Sequence, residues 1–132
     1  MKKWFLVFIY AFGLNLIWEN AHHFLYVHYK GEPITELMLF RAAFVDAVII
    51  LALIFALQLF AISRRYPSLL ILGGVIVSVG IEYWALGIER WEYTYMMPLV
   101  PFLVVGLTPT IQLGLIGYFV YRITFRKNNR PT

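Results

Sequence analysis

Apolar residues along this chain gather into four long runs separated by short polar connections. The runs cover roughly 4–27, 39–62, 69–88 and 101–125. Each holds about 20 residues or more, the length that crosses a ~30 Å hydrocarbon core at 1.5 Å per helical residue. The connections carry turn chemistry: Gly31 and Pro33 in the first, Arg64, Arg65 and Pro67 in the second, Pro98 in the third. The pattern predicts an all-α integral membrane four-helix bundle, a single transmembrane domain over 1–132 with no room for a soluble one. Lys2 and Lys3 ahead of the first run imitate the start of a signal peptide. No small-x-small site follows, and the run continues through Trp18 and Phe24, so a retained first helix is expected.

Composition agrees with lipid as the solvent. Hydrophobic residues make up 61% of the 132-residue chain and charged residues 14%, whereas soluble domains average about 45–50% and about 25%. A soluble fold of this size buries only roughly 60–70% of its chain surface and could not hide so much apolar area. The chain has no cysteine, which excludes disulfides, thiolate nucleophiles and cysteine metal sites. The net charge of +4 resides in short basic runs flanking apolar segments, a topology signal, and no nucleic-acid partner is expected. With the N-terminus inside, Lys2, Lys3, Arg64, Arg65, Arg122, Arg126, Lys127 and Arg130 are cytoplasmic, eight of the eleven Lys and Arg residues. The expected location is therefore the cell membrane (the inner membrane in a bacterium), multi-pass, with both termini cytoplasmic.

Small residues recur at packing intervals: Gly74 and Ser78, the series Gly73, Gly80 and Gly87, and Gly106, Thr110 and Gly114. Such spacing lets helix backbones approach closely in lipid, and a homo-oligomer is one assembly it would allow. Pro109 is expected to kink the fourth helix.

Against this background three acids stand out inside apolar runs: Glu19, Asp46 and Glu82. An ionised carboxylate near the bilayer centre costs at least ~2.5–3.5 kcal/mol, so such residues mark function by default. The helical rise puts Glu19 about 8 Å, and Asp46 and Glu82 about 10 Å, below the outer surface. Asn15, Glu19, His22 and Tyr26 follow spacings of 4, 3 and 4 and share one helix face. Ser78, Glu82 and Glu89 share another, and Thr108 and Gln112 a third. If these faces meet, the bundle contains a polar pocket facing outward. Arg41 lies about 140° around the helix from Asp46 and is expected to snorkel outward or to meet a carboxylate on another helix. Arg90, Trp91 and Tyr93 belong to the outer interface.

Three chemistries fit. Buried carboxyl groups can hold a proton at neutral pH and give it to an alkene or a leaving oxygen, while a second carboxylate stabilises or deprotonates the cation. Trp18, Tyr83, Trp84 and Phe102 would then line a cation-binding wall. In this leading reading the protein is an intramembrane acid–base enzyme on a lipid-like or isoprenoid substrate and needs no cofactor. Its partners are membrane lipids and a hydrophobic small molecule. Glu19, Asp46 and Glu82 are catalytic, and Asn15, Trp18, His22, Tyr26, Tyr83, Arg90, Trp91, Tyr93 and Gln112 bind substrate. A proton-coupled transporter is the alternative, since a membrane glutamate in the first helix is also the device of small multidrug resistance transporters, which this chain resembles in size. A metal site is the third, because Glu19 and His22 have the i, i+3 spacing of di-iron bundles; Asp46 and Glu82 would complete a mononuclear set. A structural or assembly subunit stands beside these.

The stretch EYWALGIERWEYTYMMPLVPFLVVGLTPTIQL, from Glu82 onward, resembles a pattern in small bacterial four-helix membrane proteins. The pattern is a membrane Glu, then R-x-W-x-Y-like, M-P-x-x-P and G-L-x-P-x-x-Q segments, matched here by Glu82, Arg90, Trp91, Tyr93, Met97, Pro98, Pro101, Gly106, Leu107, Pro109 and Gln112. Trp18, Glu19, Leu25 and Tyr26 match its Trp-Glu…Leu-Tyr element, and Asp46 matches an acid in its second helix. The resemblance spans most of the chain in four-helix order and implies no particular activity. His22 departs from it, standing where the pattern has glutamine, which tells against an obligatory metal role for His22 and favours the carboxylates as the functional groups.

Overall fold

The computed structural model describes residues 2–61 and 65–125; Met1, Ile62, Ser63 and Arg64, and the basic tail with Arg126, Lys127 and Arg130, lie outside the described residues. The chain is mostly helical. Helix α1 spans Lys2–His22, α2 Glu36–Leu59, α3 Leu69–Gly87 and α4 Leu107–Phe125. Between α1 and α2 one turn of 3₁₀ helix, His23–Leu25, leads into strand β1, Tyr26–Tyr29. Between α3 and α4 lies strand β2, Trp91–Tyr93.

The bundle follows the expected helix order, with two boundaries moved inward for identifiable reasons. The first helix, expected to reach residue 27, stops at His22 because the next backbone groups pair elsewhere. β1 and β2 form an antiparallel ladder, Tyr26 opposite Tyr93 and Tyr29 opposite Trp91, with a bulge between Tyr26 and His28. Tyr26 therefore stands on a strand, not on the face of α1 that carries Glu19. The fourth helix, expected from residue 101, begins at Leu107. Phe102 and Val104 hold left-handed backbone, φ 68° and 58°, and the loop is tied by Val100 N–H to Val105 O (2.8 Å) and Leu107 N–H to Pro98 O (2.7 Å). Pro109 then falls in the first turn of α4, where a missing N–H costs nothing, so the expected kink is a helix start instead. Helix α2 begins with a conventional cap: the Thr35 hydroxyl accepts from Met38 N–H at 3.3 Å, with Glu36 in the first turn.

Lys3 over the Phe125 ring and Trp4 against Phe125 put the two described ends of the chain at one end of the bundle; the two-stranded sheet caps the other. The core contains Val7, Ala11, Ile50, Ile54 and Val120. Helices α3 and α4 make the closest approach. A Cβ on Gly74 would overlap the Gly114 backbone, and one on Gly114 would stand 2.7 Å from Ile71 O. The small-residue spacing thus reports a real backbone contact at Gly74 and Gly114. Gly80 and Gly87 face open space. Helices α2 and α3 touch only sparsely, and a groove runs between them.

The outside of the bundle is apolar: Phe5, Ile17, Phe55, Ile76 and Phe119 are all more than half exposed. Three helices are long and apolar enough to cross a membrane: the first, counted as Lys2–Leu25, with α2 and α3. Helix α4 does not reach that mark, because it carries Thr108, Pro109, Thr110, Gln112 and Arg122. It is also the most enclosed, with nine of its residues buried, Gln112 among them.

Candidate functional site

The polar residues singled out in the sequence collect at the sheet-capped end in two connected groups. The first is centred on Gln112 of α4. Its side-chain amide nitrogen lies 2.9 Å from Asn15 Oδ1, 2.9 Å from Glu19 Oε1 and 3.0 Å from Asp46 Oδ2. One NH₂ group so joins α4 to α1 and α2. Two hydrogens serve three acceptors, so the bonds are shared, as in a three-centre geometry. Asn15 is fixed in turn: its Nδ2 donates to Ala11 O at 2.7 Å, leaving Oδ1 to accept from Gln112. The Glu19 and Asp46 carboxyl groups converge on the same Gln112 nitrogen, and two carboxyls that bond to each other must hold a proton on one of them.

His22 extends this group. Its Nδ1 is 3.0 Å from Thr108 Oγ1 and its Nε2 is 3.3 Å from Glu19 Oε2. The Thr108 hydroxyl stands between His22 Nδ1 and Met97 Sδ, which is 3.6 Å away, and the 3.0 Å ring contact is the stronger of the two. A proton must lie between His22 Nε2 and Glu19, on the ring or on the carboxyl. His22 and Glu19 thus share a proton, and Gln112 links Glu19 to Asp46.

The second group is centred on Glu82, which is buried. Its Oε2 accepts from Trp91 Nε1 at 3.0 Å and from the Tyr93 hydroxyl. The same hydroxyl accepts from Gly106 N–H at 3.0 Å. Strand β2 therefore clamps the carboxylate on α3 and ties it to the start of α4. Burial pushes the Tyr93 hydroxyl above the usual tyrosine range, and its bond to Glu82 adds to the shift. Tyr26 is pushed up more strongly, first by burial and then by the Glu82 charge.

Between the two groups lies a cavity of about 130 Å³ whose walls include Glu19, Tyr26, Asp46, Ser78, Glu82 and Gln112. Ser78 is buried, and its hydroxyl has no hydrogen-bond partner among the described residues. Asp46 also lines the larger groove between α2 and α3, so this carboxyl faces both spaces.

Other expected residues go elsewhere. Tyr83 is exposed and donates to Leu103 O at 2.6 Å. Phe102 is fully exposed on its loop, and Trp84 faces the groove. Trp18 packs edge-on against His22 and the core, its Nε1 buried without a partner among the described residues. The aromatic wall expected from Trp18, Tyr83, Trp84 and Phe102 is not assembled; Tyr26, Tyr29 and Trp91 flank the cavity instead. Arg90 lies over the Tyr29 and Trp84 rings, 4.9 and 5.4 Å from their centroids, and donates to the Tyr29 hydroxyl. Among the described residues no group of three or more His, Asp or Glu side chains has the arrangement of a metal site, so Glu19, His22, Asp46 and Glu82 do not form the ligand set considered from the sequence. Glu82 is held in the other group.

Tyr29 and Met97 were not anticipated as site residues. Tyr29 reaches the site through the pairing of its strand with Trp91, and a methionine acceptor for Thr108 has no local signature. No family model, curated protein or solved structure matches this chain, so its reading rests on its own geometry.

Proposed function

We propose that this chain is a four-span membrane protein, its termini cytoplasmic, that catalyses proton transfer on a lipid-like or isoprenoid molecule in the outer half of the bilayer. The charge bias of the sequence supports the orientation. Three sufficiently apolar helices support insertion, and α4, about 28 Å long at 1.5 Å per residue, would cross as the shielded member. The observation that carries the catalytic reading is the Gln112 bridge between Glu19 and Asp46, at the wall of a cavity with a lateral groove beside it.

Two adjoining carboxyl groups that share a proton are an acid and a base in one site. The simplest reaction they support moves a double bond. One carboxyl protonates an alkene carbon of the substrate. The cationic carbon is held beside the second carboxylate and the faces of Tyr26 and Trp91. The carboxylate then removes a proton from the neighbouring carbon, and the pair ends with the one proton it began with. Gln112 positions both groups, His22 holds Glu19, and the Ser78 hydroxyl offers a polar contact to substrate. Glu82, engaged by Trp91 and Tyr93, acts as a fixed negative charge opposite the pair.

The test is lipid analysis of cells lacking the protein, complemented with wild type, Asp46→Asn, Glu19→Gln or Glu82→Gln at equal membrane levels. A lipid or pigment species restored by wild type and lost in Asp46→Asn and Glu19→Gln is the expected result. Identical lipid profiles in every strain would overturn the enzymatic reading. Proton flux coupled to export would then be measured.

A further inference from the structure

The groove between α2 and α3 is a second space, about 770 Å³, beside the cavity, and Asp46 lines both. Its mouth carries Lys30, Arg41 and Arg90, with Glu32 the one acid among the rim residues that line it; Lys30 and Arg90 also border Glu89 and Glu92 in the adjoining space. Its lower walls are apolar: Phe44, Val45 and Ile49 from α2, Ile81 and Trp84 from α3. Among the described residues the ion-pair contacts are His22–Glu19 and His28–Glu92, so none of the three cations at the mouth has a carboxylate partner. A cation at the rim of a membrane segment is costly unless it reaches water or a counter-charge. The Arg90 guanidinium is also held against Tyr29 and Trp84, which fixes its planar donor fork as a phosphate binder requires.

We propose that this groove binds a membrane lipid with a phosphate head and a flexible apolar chain, and that this lipid is the substrate of the acid pair. The inference rests on the enzymatic reading and names its substrate class. Charge complementarity sets the head at the mouth, where three cations oppose one rim acid, and the apolar walls take the chain. Depth connects the two. Arg41 and Asp46 are five residues apart on α2, about 7.5 Å along the axis. They also stand about 140° apart around the helix, on opposite flanks of the groove that both line, so a chain whose phosphate meets Arg41 must cross the groove to reach Asp46, on the wall shared with the cavity. The sparse contact between α2 and α3 leaves this side open to lipid.

The experiment measures binding to purified full-length protein by native mass spectrometry, with farnesyl phosphate, farnesol and inorganic phosphate as probes. Farnesyl phosphate should bind at least about tenfold more tightly than farnesol, the effect of one charge-assisted bond or more. Arg41→Gln and Lys30→Gln should each remove much of that difference while leaving farnesol unchanged; both side chains are exposed, so the test survives if Arg90→Gln fails to fold. Inorganic phosphate should neither bind measurably nor compete. Equal binding of farnesol, full affinity in Arg41→Gln and Lys30→Gln, or saturation by inorganic phosphate would each overturn the proposal. Asp46→Asn separates this idea from the one beneath it, since it should bind farnesyl phosphate at least as tightly as wild type. Cation-dependent binding with unchanged cellular lipids in Asp46→Asn would refute the catalytic role and leave the lipid-phosphate site standing. A lipid change confined to phosphate-free species would sink the substrate assignment and spare the catalysis.

Discussion

Replacing Gln112 with leucine removes the one donor that joins α4 to Asn15, Glu19 and Asp46. The volume is nearly kept, so cavity and overpacking effects are small. What is lost is two hydrogens' worth of bonding spread over three acceptors. Interhelical hydrogen bonds in membrane proteins average about 0.6 kcal/mol and reach about 1.7, while bonds to charged groups in soluble proteins contribute about 1.5–3. Two bonds at the upper membrane value give about 3 kcal/mol, and the newly buried leucine methyls return a fraction of it. The expected destabilisation is therefore about 2–3 kcal/mol. Unfolding in mixed micelles of rising SDS fraction, followed by tryptophan fluorescence, measures it. Asp46→Leu in the Gln112→Leu background should then cost less than in wild type, with a coupling of about 1 kcal/mol, because the shared bond is already gone. A loss below about 0.5 kcal/mol for Gln112→Leu, or strict additivity with Asp46→Leu, would refute the bridge, since neither is compatible with a donor held at 2.9–3.0 Å from all three acceptors.

Three further outcomes test the frame around that bridge. Gly114→Ala should destabilise by about 1–3 kcal/mol in the same micelle titration, because its Cβ meets the Ile71 backbone; Gly80→Ala, which meets nothing, should be neutral or gain up to about 1 kcal/mol of helix propensity. Tyr93→Phe should cost about 1–2 kcal/mol, since it removes a donor to Glu82 and the acceptor of Gly106 N–H. Tyr26 and Tyr93 have folded values raised above the ordinary tyrosine value of 10.0, so their contribution to stability is full below that pH and is lost as pH rises through the folded values. Unfolding measured at rising alkaline pH should show this loss in wild type and less of it in Tyr93→Phe; equal slopes would contradict the burial of that hydroxyl.

Much of the arrangement was legible because helical geometry alone dictates it. Asn15, Glu19 and His22 share a face of α1 by spacing, and all three now join the Gln112 network. Gln112 and Thr108, four apart on α4, meet them from the opposite side. Gly74 and Gly114 were legible for the same reason, since close approach in lipid depends on the absence of a side chain. What was not legible depends on pairing between distant segments. Tyr26 follows its helix neighbours by number, yet strand pairing with Tyr93 takes it off that helix. Pro109 has the same local sequence whether it kinks a helix or starts one; the left-handed residues at Phe102 and Val104 decide, and neither is a residue type that announces such a backbone. The aromatic residues near the acids also look alike in sequence. Only their contacts separate Trp91, bonded to Glu82, from Tyr83, bonded to a loop carbonyl.

The helix that falls short of a self-sufficient membrane segment is the one that holds the site together. A fourth helix as apolar as α2 would enter lipid more readily, but it would have no Gln112 to hold Glu19 against Asp46 and no Thr108 to orient His22. Its polarity is tolerated because α1 and α3 cover it, and α3 can do so only where Gly74 and Gly114 let the two backbones touch. The glycine contact and the acid pair are therefore coupled through one element. Widening α3 from α4 at Gly114 should loosen the Gln112 bridge as well as the core, so Gly114→Ala should impair the acid pair although its Cβ touches none of the acids. A change at Gly80, on the same helix as Gly74 but facing open space, should leave the pair intact. That contrast distinguishes a site held by helix packing from one held by its own hydrogen bonds.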